Sequence, residues 1–100
     1  MRRKARRDRN ETTIVALARR LGASVEYLDL KDGPDLVVGW QGQNWLIEVK
    51  RPLGRRGGAS EDGQRLSHGQ ERWHAAWKGQ VAVVRTLEDL RALLGVGAGV

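Results

Sequence analysis

Two apolar runs four residues apart, Asp35-Leu36-Val37-Val38-Gly39-Trp40 and Trp45-Leu46-Ile47-Glu48-Val49-Lys50, constrain this chain more than any other feature. Both are rich in β-branched and aromatic residues, and the link Gln41-Gly42-Gln43-Asn44 is a tight connection, so residues 35–50 read as a hairpin. Side chains alternate across a strand, which puts Trp45, Ile47 and Val49 on one face and Leu46, Glu48 and Lys50 on the other. At about 3.3 Å per residue, the Cα atoms of Glu48 and Lys50 lie roughly 6.6 Å apart. Two charges on one face of an inner strand are costly unless that face opens on a polar cleft.

The other elements follow from periodicity and punctuation. Ile14, Leu17, Ala18 and Leu21 recur at helical spacing between Asn10, a good N-cap, and Gly22, which predicts a helix over about 11–21. Ser24–Leu30 reads as a strand, and Lys31-Asp32-Gly33-Pro34 as a turn. Residues 51–66 form a long polar loop. Ser67 N-caps a second helix running to about Lys78, with Gly79 ending it. Gln80–Val84 is a short strand, and Thr86 caps a last helix carrying Leu87, Leu90 and Leu94. The order is α-β-β-β-α-β-α, an α/β layout with a mixed sheet. Residues 1–9 read as a flexible basic arm, 10–94 as a single domain and 95–100 as a frayed tail.

Composition narrows the chemistry. With no cysteine there is no disulfide framework, thiolate metal site or cysteine nucleophile, and two histidines do not make a structural zinc site. No apolar run approaches the roughly 20 residues of a membrane span, and no apolar segment follows the basic N-terminus as in a secretory signal, so the expected compartment is the cytoplasm. The formal net charge is +6, and most of it sits in residues 2–9, where Arg2, Arg3, Lys4, Arg6, Arg7 and Arg9 face a single Asp8. A basic arm on a near-neutral body suits nucleic-acid binding, and also suits a merely solubilising tail.

The hairpin brings Asp35, at the start of one strand, beside Glu48 and Lys50, at the end of the next. Two converging carboxylates are oxygen donors for a hard divalent ion such as Mg²⁺. Such an ion lowers the pKa of water and stabilises charge on a phosphoryl group, and a lysine beside it orients the attacking water or stabilises developing negative charge. These are the parts needed to hydrolyse a phosphodiester. Taken singly, Asp35 is also an ordinary turn residue after Gly-Pro, and Glu48 and Lys50 also fit an exposed strand face.

Gly33-Pro34-Asp35 followed by Glu48-Val49-Lys50 resembles the signature of the PD-(D/E)XK nuclease superfamily, and most closely its VRR-NUC branch, the virus-type replication-repair nuclease domain. Further likenesses are Glu11 in the first helix, Leu66-Ser67-His68-Gly69-Gln70 at the start of the second, and Trp77 through Thr86 leading into the last. The resemblance spans about residues 10–94. It implies a restriction-endonuclease-like core, a mixed sheet flanked by helices. It implies that Asp35, Glu48 and the backbone carbonyl of Val49 ligate Mg²⁺ or Mn²⁺, that Lys50 is the catalytic lysine, that Glu11 holds a water of the ion's shell and that Gln70 lines the site. Glu11 also reads as a first-turn acid favoured by the helix dipole, and Gln70 as the partner of Ser67 in a capping box. His68 fits a surface position better than a base.

The implied activity is a metal-dependent DNA endonuclease, structure-selective for junctions or flaps, working as a homodimer in replication, recombination or repair. A phage origin, and so a bacterial host cytoplasm, follows from the family alone. The rivals are a nicking or restriction-type nuclease on plain duplex and a non-catalytic nucleic-acid-binding protein on the same fold. Arg51, Arg55 and Arg56 in the long loop are candidate phosphate contacts, with the arm. Trp73 and Trp77, four apart on the second helix, read as a packing stripe or dimer face, and secondarily as a stacking surface for bases.

Overall fold

The computed structural model describes residues 9–52 and 65–97. The chain runs α1 (Arg9–Leu21), β1 (Ser24–Tyr27), β2 (Leu36–Trp40), β3 (Gln43–Val49), α2 (His68–Ala76), β4 (Val81–Val84) and α3 (Leu87–Leu94), the order expected from the sequence. The four strands form one mixed sheet in the order β1-β2-β3-β4, antiparallel except for the parallel pair β3 and β4. A parallel pair needs a crossover. Here the crossover is the segment that carries α2.

The β2–β3 turn is tighter than the four-residue link predicted. Gln41 and Gly42 both take left-handed backbone conformations, φ 51° and 82°, and strand pairing resumes at once as Trp40 opposite Gln43. A two-residue turn of this hand matches the right-handed twist of the strands. β1 is shorter than predicted, ending at Tyr27 instead of Leu30. Its partner strand begins only after Pro34, which has no N–H to offer, and the last bond of the pair is Leu28 N–H to the Asp35 carbonyl at 2.8 Å.

One face of the sheet makes the core. Val25, Leu36, Val38, Ile47, Val49 and Val84 meet Ile14, Val15, Leu17 and Ala18 of α1 and Leu90 and Leu94 of α3. At 3.6 residues per turn the α1 positions fall on one stripe. The expected face of β3 holds: Ile47 and Val49 are buried in this layer, with Trp45 packed at its margin. Trp40 is half-buried, and its indole N–H donates to the Leu94 carbonyl at 3.0 Å, tying α3 to the sheet.

Three local readings need correction. Asn10 does not cap α1; it lies inside the helix, which includes Arg9, and its amide reaches across the molecule as described below. α2 ends at Ala76, before Lys78, because Trp77 turns to extended backbone (φ −72°, ψ 132°) while its N–H still bonds the Trp73 carbonyl. Gly95 and Val96 of the expected tail are held to α3, the Val96 N–H donating to the Arg91 carbonyl at 2.8 Å. Arm residues 1–8, most of the long loop (53–64) and residues 98–100 lie outside the described residues. No helix among the described residues is long and apolar enough to cross a membrane.

Candidate active site

The second face of the sheet carries the polar residues, and three pieces of chain converge there. The first is the end of β3. Glu48 is 2% exposed and Lys50 9%, an unusual degree of burial for a charged pair two residues apart. β3 is an inner strand, and Lys50 continues its ladder beyond Val49 by donating its N–H to the Val84 carbonyl at 3.1 Å. The backbone that carries both side chains is thereby held against β4.

Asp35 is the second piece. Its N–H donates to the Ile47 carbonyl at 2.9 Å. Its carboxylate Oδ2 accepts the Val49 N–H at 2.8 Å, so the side chain replaces a strand as the acceptor where β2 begins. The carboxylate is thereby held one residue from Glu48 on the neighbouring strand, where the hairpin argument put it.

α2 is the third. The Ser67 hydroxyl accepts the Gln70 N–H at 3.1 Å, and Gln70 Oε1 accepts the Ser67 N–H at 3.0 Å, a reciprocal capping box. The other end of the same amide, Gln70 Nε2, donates to Glu48 Oε2 at 3.3 Å. The capping box expected of Gln70 is present, and it fixes the rotamer that delivers the Nε2 donor to Glu48. Gly69 lets this helix start close to the turn before Asp35, since a Cβ there would lie 2.6 Å from Asp32 Oδ2. One turn after Gln70, His74 Nε2 lies 3.6 Å from Glu48 Oε1. Burial pushes the His74 imidazole below its ordinary value; nearby Lys50 pushes it the same way, and Asp35 opposes both.

The start of α1 completes the frame. The Asn10 side-chain amide donates to the Lys50 carbonyl at 3.0 Å and the Arg85 carbonyl at 3.1 Å, clamping α1 to the ends of β3 and β4. Glu11, the next residue, is 2% exposed. It is also the acid in the first turn of α1, as the dipole reading expected.

Other sequence candidates stand apart. His68 is exposed, as are Arg9 and Arg51; Arg51 accepts a hydrogen bond on its carbonyl from Arg85 Nη1 at 3.0 Å. Arg2, Arg3, Lys4, Arg6, Arg7, Arg55 and Arg56 lie outside the described residues. Trp73 and Trp77 are no core stripe, since α2 buries none of its residues; the two rings stack on one another at 4.9 Å and 14°. Two residues of the site escaped the sequence reading. His74 was hidden between those tryptophans, although it stands four residues from Gln70 on the same helix face. Asn10 carries its signal over 40 and 75 residues of separation, which no local pattern reveals.

The donors near Asp35 and Glu48 are carboxylate and backbone oxygens, the chemistry of a hard divalent ion. Among the described residues no three His, Cys, Asp or Glu side chains group closely enough to hold an ion alone.

Neither a family model nor a curated protein matches the chain. A solved structure described as "VRR_NUC domain" is similar to it, with a TM-score of 0.63 and 22% sequence identity, over 87% of this chain and 91% of that one. The likeness establishes the fold, a VRR_NUC-type α/β arrangement over nearly the whole chain.

Proposed function

We propose that this chain is a metal-dependent DNA endonuclease that hydrolyses phosphodiester bonds, selective for junction or flap structures. The observation that carries the reading is the joint placement of Asp35, Glu48 and Lys50 where β2 begins and β3 ends on this fold, with two of the three charged residues almost wholly buried. Burying a charge costs several kcal/mol unless partners offset it, and a site that uses the charges gives a reason to keep them buried. A protein that only binds DNA gains nothing from carboxylates turned toward phosphates.

In this reading Asp35, Glu48 and the Val49 carbonyl hold Mg²⁺ or Mn²⁺, which when bound supplies Lewis acidity toward the scissile phosphate and the attacking water. The chain's own residues do the rest. Lys50 stabilises the charge that develops on the phosphoryl oxygens as the water oxygen–phosphorus bond forms and the bond to the leaving oxygen breaks. Gln70 orients Glu48, and Glu11 holds a water within the site. The basic arm, with Arg51, Arg55 and Arg56, neutralises phosphates and positions the duplex without reading sequence. Two copies related by a twofold axis would present two such sites to two strands, a homodimer supported by the half-exposed Trp77, 45% accessible just after α2.

Incubating the protein with labelled junction, flap, nicked and linear duplex DNA, in Mg²⁺, Mn²⁺ and EDTA, tests the reading. Cleavage of branched substrates only with metal is the expected result. Equal cutting of plain duplex favours a nicking or restriction-type enzyme. Binding without cleavage on every substrate favours a non-catalytic nucleic-acid-binding protein.

A further inference from the structure

Glu48 is 2% exposed, and a carboxylate removed from water needs donors on its oxygens. α2 approaches it from two positions one helical turn apart. Gln70 Nε2 donates to Oε2 at 3.3 Å, while His74 Nε2 stands 3.6 Å from Oε1. Residues i and i+4 share a helix face, so a single helix brings one group to each oxygen. The His74 Nε2 atom is itself buried and has no hydrogen-bond partner among the described residues. A buried ring nitrogen without a partner is uncommon and calls for a reason.

The setting of the ring is not loose. Trp73 meets it edge-on, with centroids 6.0 Å apart and planes at 68°. Trp73 in turn lies against the turn before Asp35, its Nε1 3.2 Å from where a Gly33 Cβ would stand, and stacks on Trp77. Together with the capping box at Ser67, these contacts fix how α2 is rotated over the sheet. His74 is therefore aimed at Glu48 by packing.

We propose that His74 is a positioning residue which, through an Nε2–H donor, grips Glu48 Oε1 while Gln70 grips Oε2, setting the carboxylate for the metal. The inference rests on Glu48 being a metal ligand, as proposed above. Hydrogen bonds of this kind are often long in a free site and tighten when it is filled, which accounts for a 3.6 Å separation. An ionised carboxylate has about four lone-pair sites, so a donor on each oxygen leaves capacity for an ion. Partners that orient a metal ligand typically matter by about 10- to 100-fold in metal affinity or activity. α2 thereby links substrate-site assembly to its own docking on the sheet.

The test is calorimetric titration of the full chain with Mn²⁺, comparing wild type, His74→Ala, His74→Gln and Glu48→Gln, with thermal melts recorded for each. His74→Ala is expected to weaken Mn²⁺ binding about 10- to 100-fold. His74→Gln, which restores a neutral N–H donor of similar reach, is expected to recover most of the loss. Nitrogen-15 NMR of the wild-type imidazole is expected to place the ring proton on Nε2 and to show that signal shift when Mg²⁺ is added. Wild-type affinity in His74→Ala, a His74→Gln no better than His74→Ala, or a ring carrying its proton only on Nδ1 would each overturn the proposal. The NMR result holds even where a variant fails to fold. Unchanged Mn²⁺ binding in Glu48→Gln would instead overturn Glu48 as a ligand, and so separate that failure from a failure of His74.

Discussion

Asp35 serves two purposes, and a pair of substitutions separates them. Asp35→Ala removes both the proposed metal ligand and the acceptor for the Val49 N–H, now 2.8 Å from Oδ2. Leaving a buried donor unsatisfied costs about 1–3 kcal/mol, and because this bond is only part-buried the lower half of that range applies, about 1–2 kcal/mol. In a domain of this size 1 kcal/mol shifts Tm by about 4–8 °C, so Asp35→Ala should melt roughly 5–15 °C below wild type. Asp35→Asn keeps a carbonyl oxygen at the same position and gives up only the charge. It should lose less than about 1 kcal/mol, since a neutral acceptor is weaker than a charged one but still made. Both variants lose a carboxylate, and both should lose cleavage. Melting followed by circular dichroism, beside single-turnover cleavage of a branched DNA, reads the two effects separately. Equal melting temperatures for the two variants would refute the structural part of the reasoning. Wild-type cleavage by Asp35→Asn would refute the chemical part.

Three more outcomes are expected. Asn10→Ala removes two hydrogen bonds worth about 1 kcal/mol each and should destabilise the fold by about 2 kcal/mol in a urea titration, whereas Asn10→Ser, an equally good cap, should not rescue it; full rescue by serine would mean capping rather than the clamp on Lys50 and Arg85. Because His74 binds its proton less readily than the ordinary pKa of 6.5, the unfolded chain holds more protons as pH falls below that value, so stability in EDTA should decline on acidification from pH 7, and decline less in His74→Gln; identical pH slopes would contradict this. Deleting residues 1–8 removes five of the arm's six cations, and if four engage DNA the slope of log K against log salt should flatten by roughly 3–4 units, with an unchanged slope meaning that the arm never touches phosphate.

The strands and helices were legible because their signals are local. Alternation in residues 35–49 set the hairpin, and Ser67 with Gln70, and Thr86 as a cap, marked two helix starts; the structure has a capping box at each. The neighbourhood of Asp35 and Glu48 was legible too, since a hairpin register fixes which residues meet. Signals that depend on tertiary contact were not. Asn10 obeyed the rule for caps in sequence and spends its amide on carbonyls 40 and 75 residues away. Trp73 and Trp77 had the spacing of a buried stripe, yet no residue of α2 is fully buried; the two rings stack on each other, and the helix faces Glu48 through Gln70 and His74.

If Asp35, Glu48 and Lys50 form one metal-dependent phosphodiesterase site, Lys50→Ala should keep DNA binding and lose turnover. The measurement is single-turnover cleavage of a labelled branched DNA by wild type and Lys50→Ala, in Mg²⁺ and in EDTA, with DNA affinity determined for both proteins. Wild type is expected to cleave in Mg²⁺ and not in EDTA, and Lys50→Ala to be slower by about 10²–10³ at nearly unchanged DNA affinity, the cost of removing one electrostatic stabiliser. Cleavage by Lys50→Ala within about threefold of wild type, or undiminished cleavage in EDTA, would contradict that site.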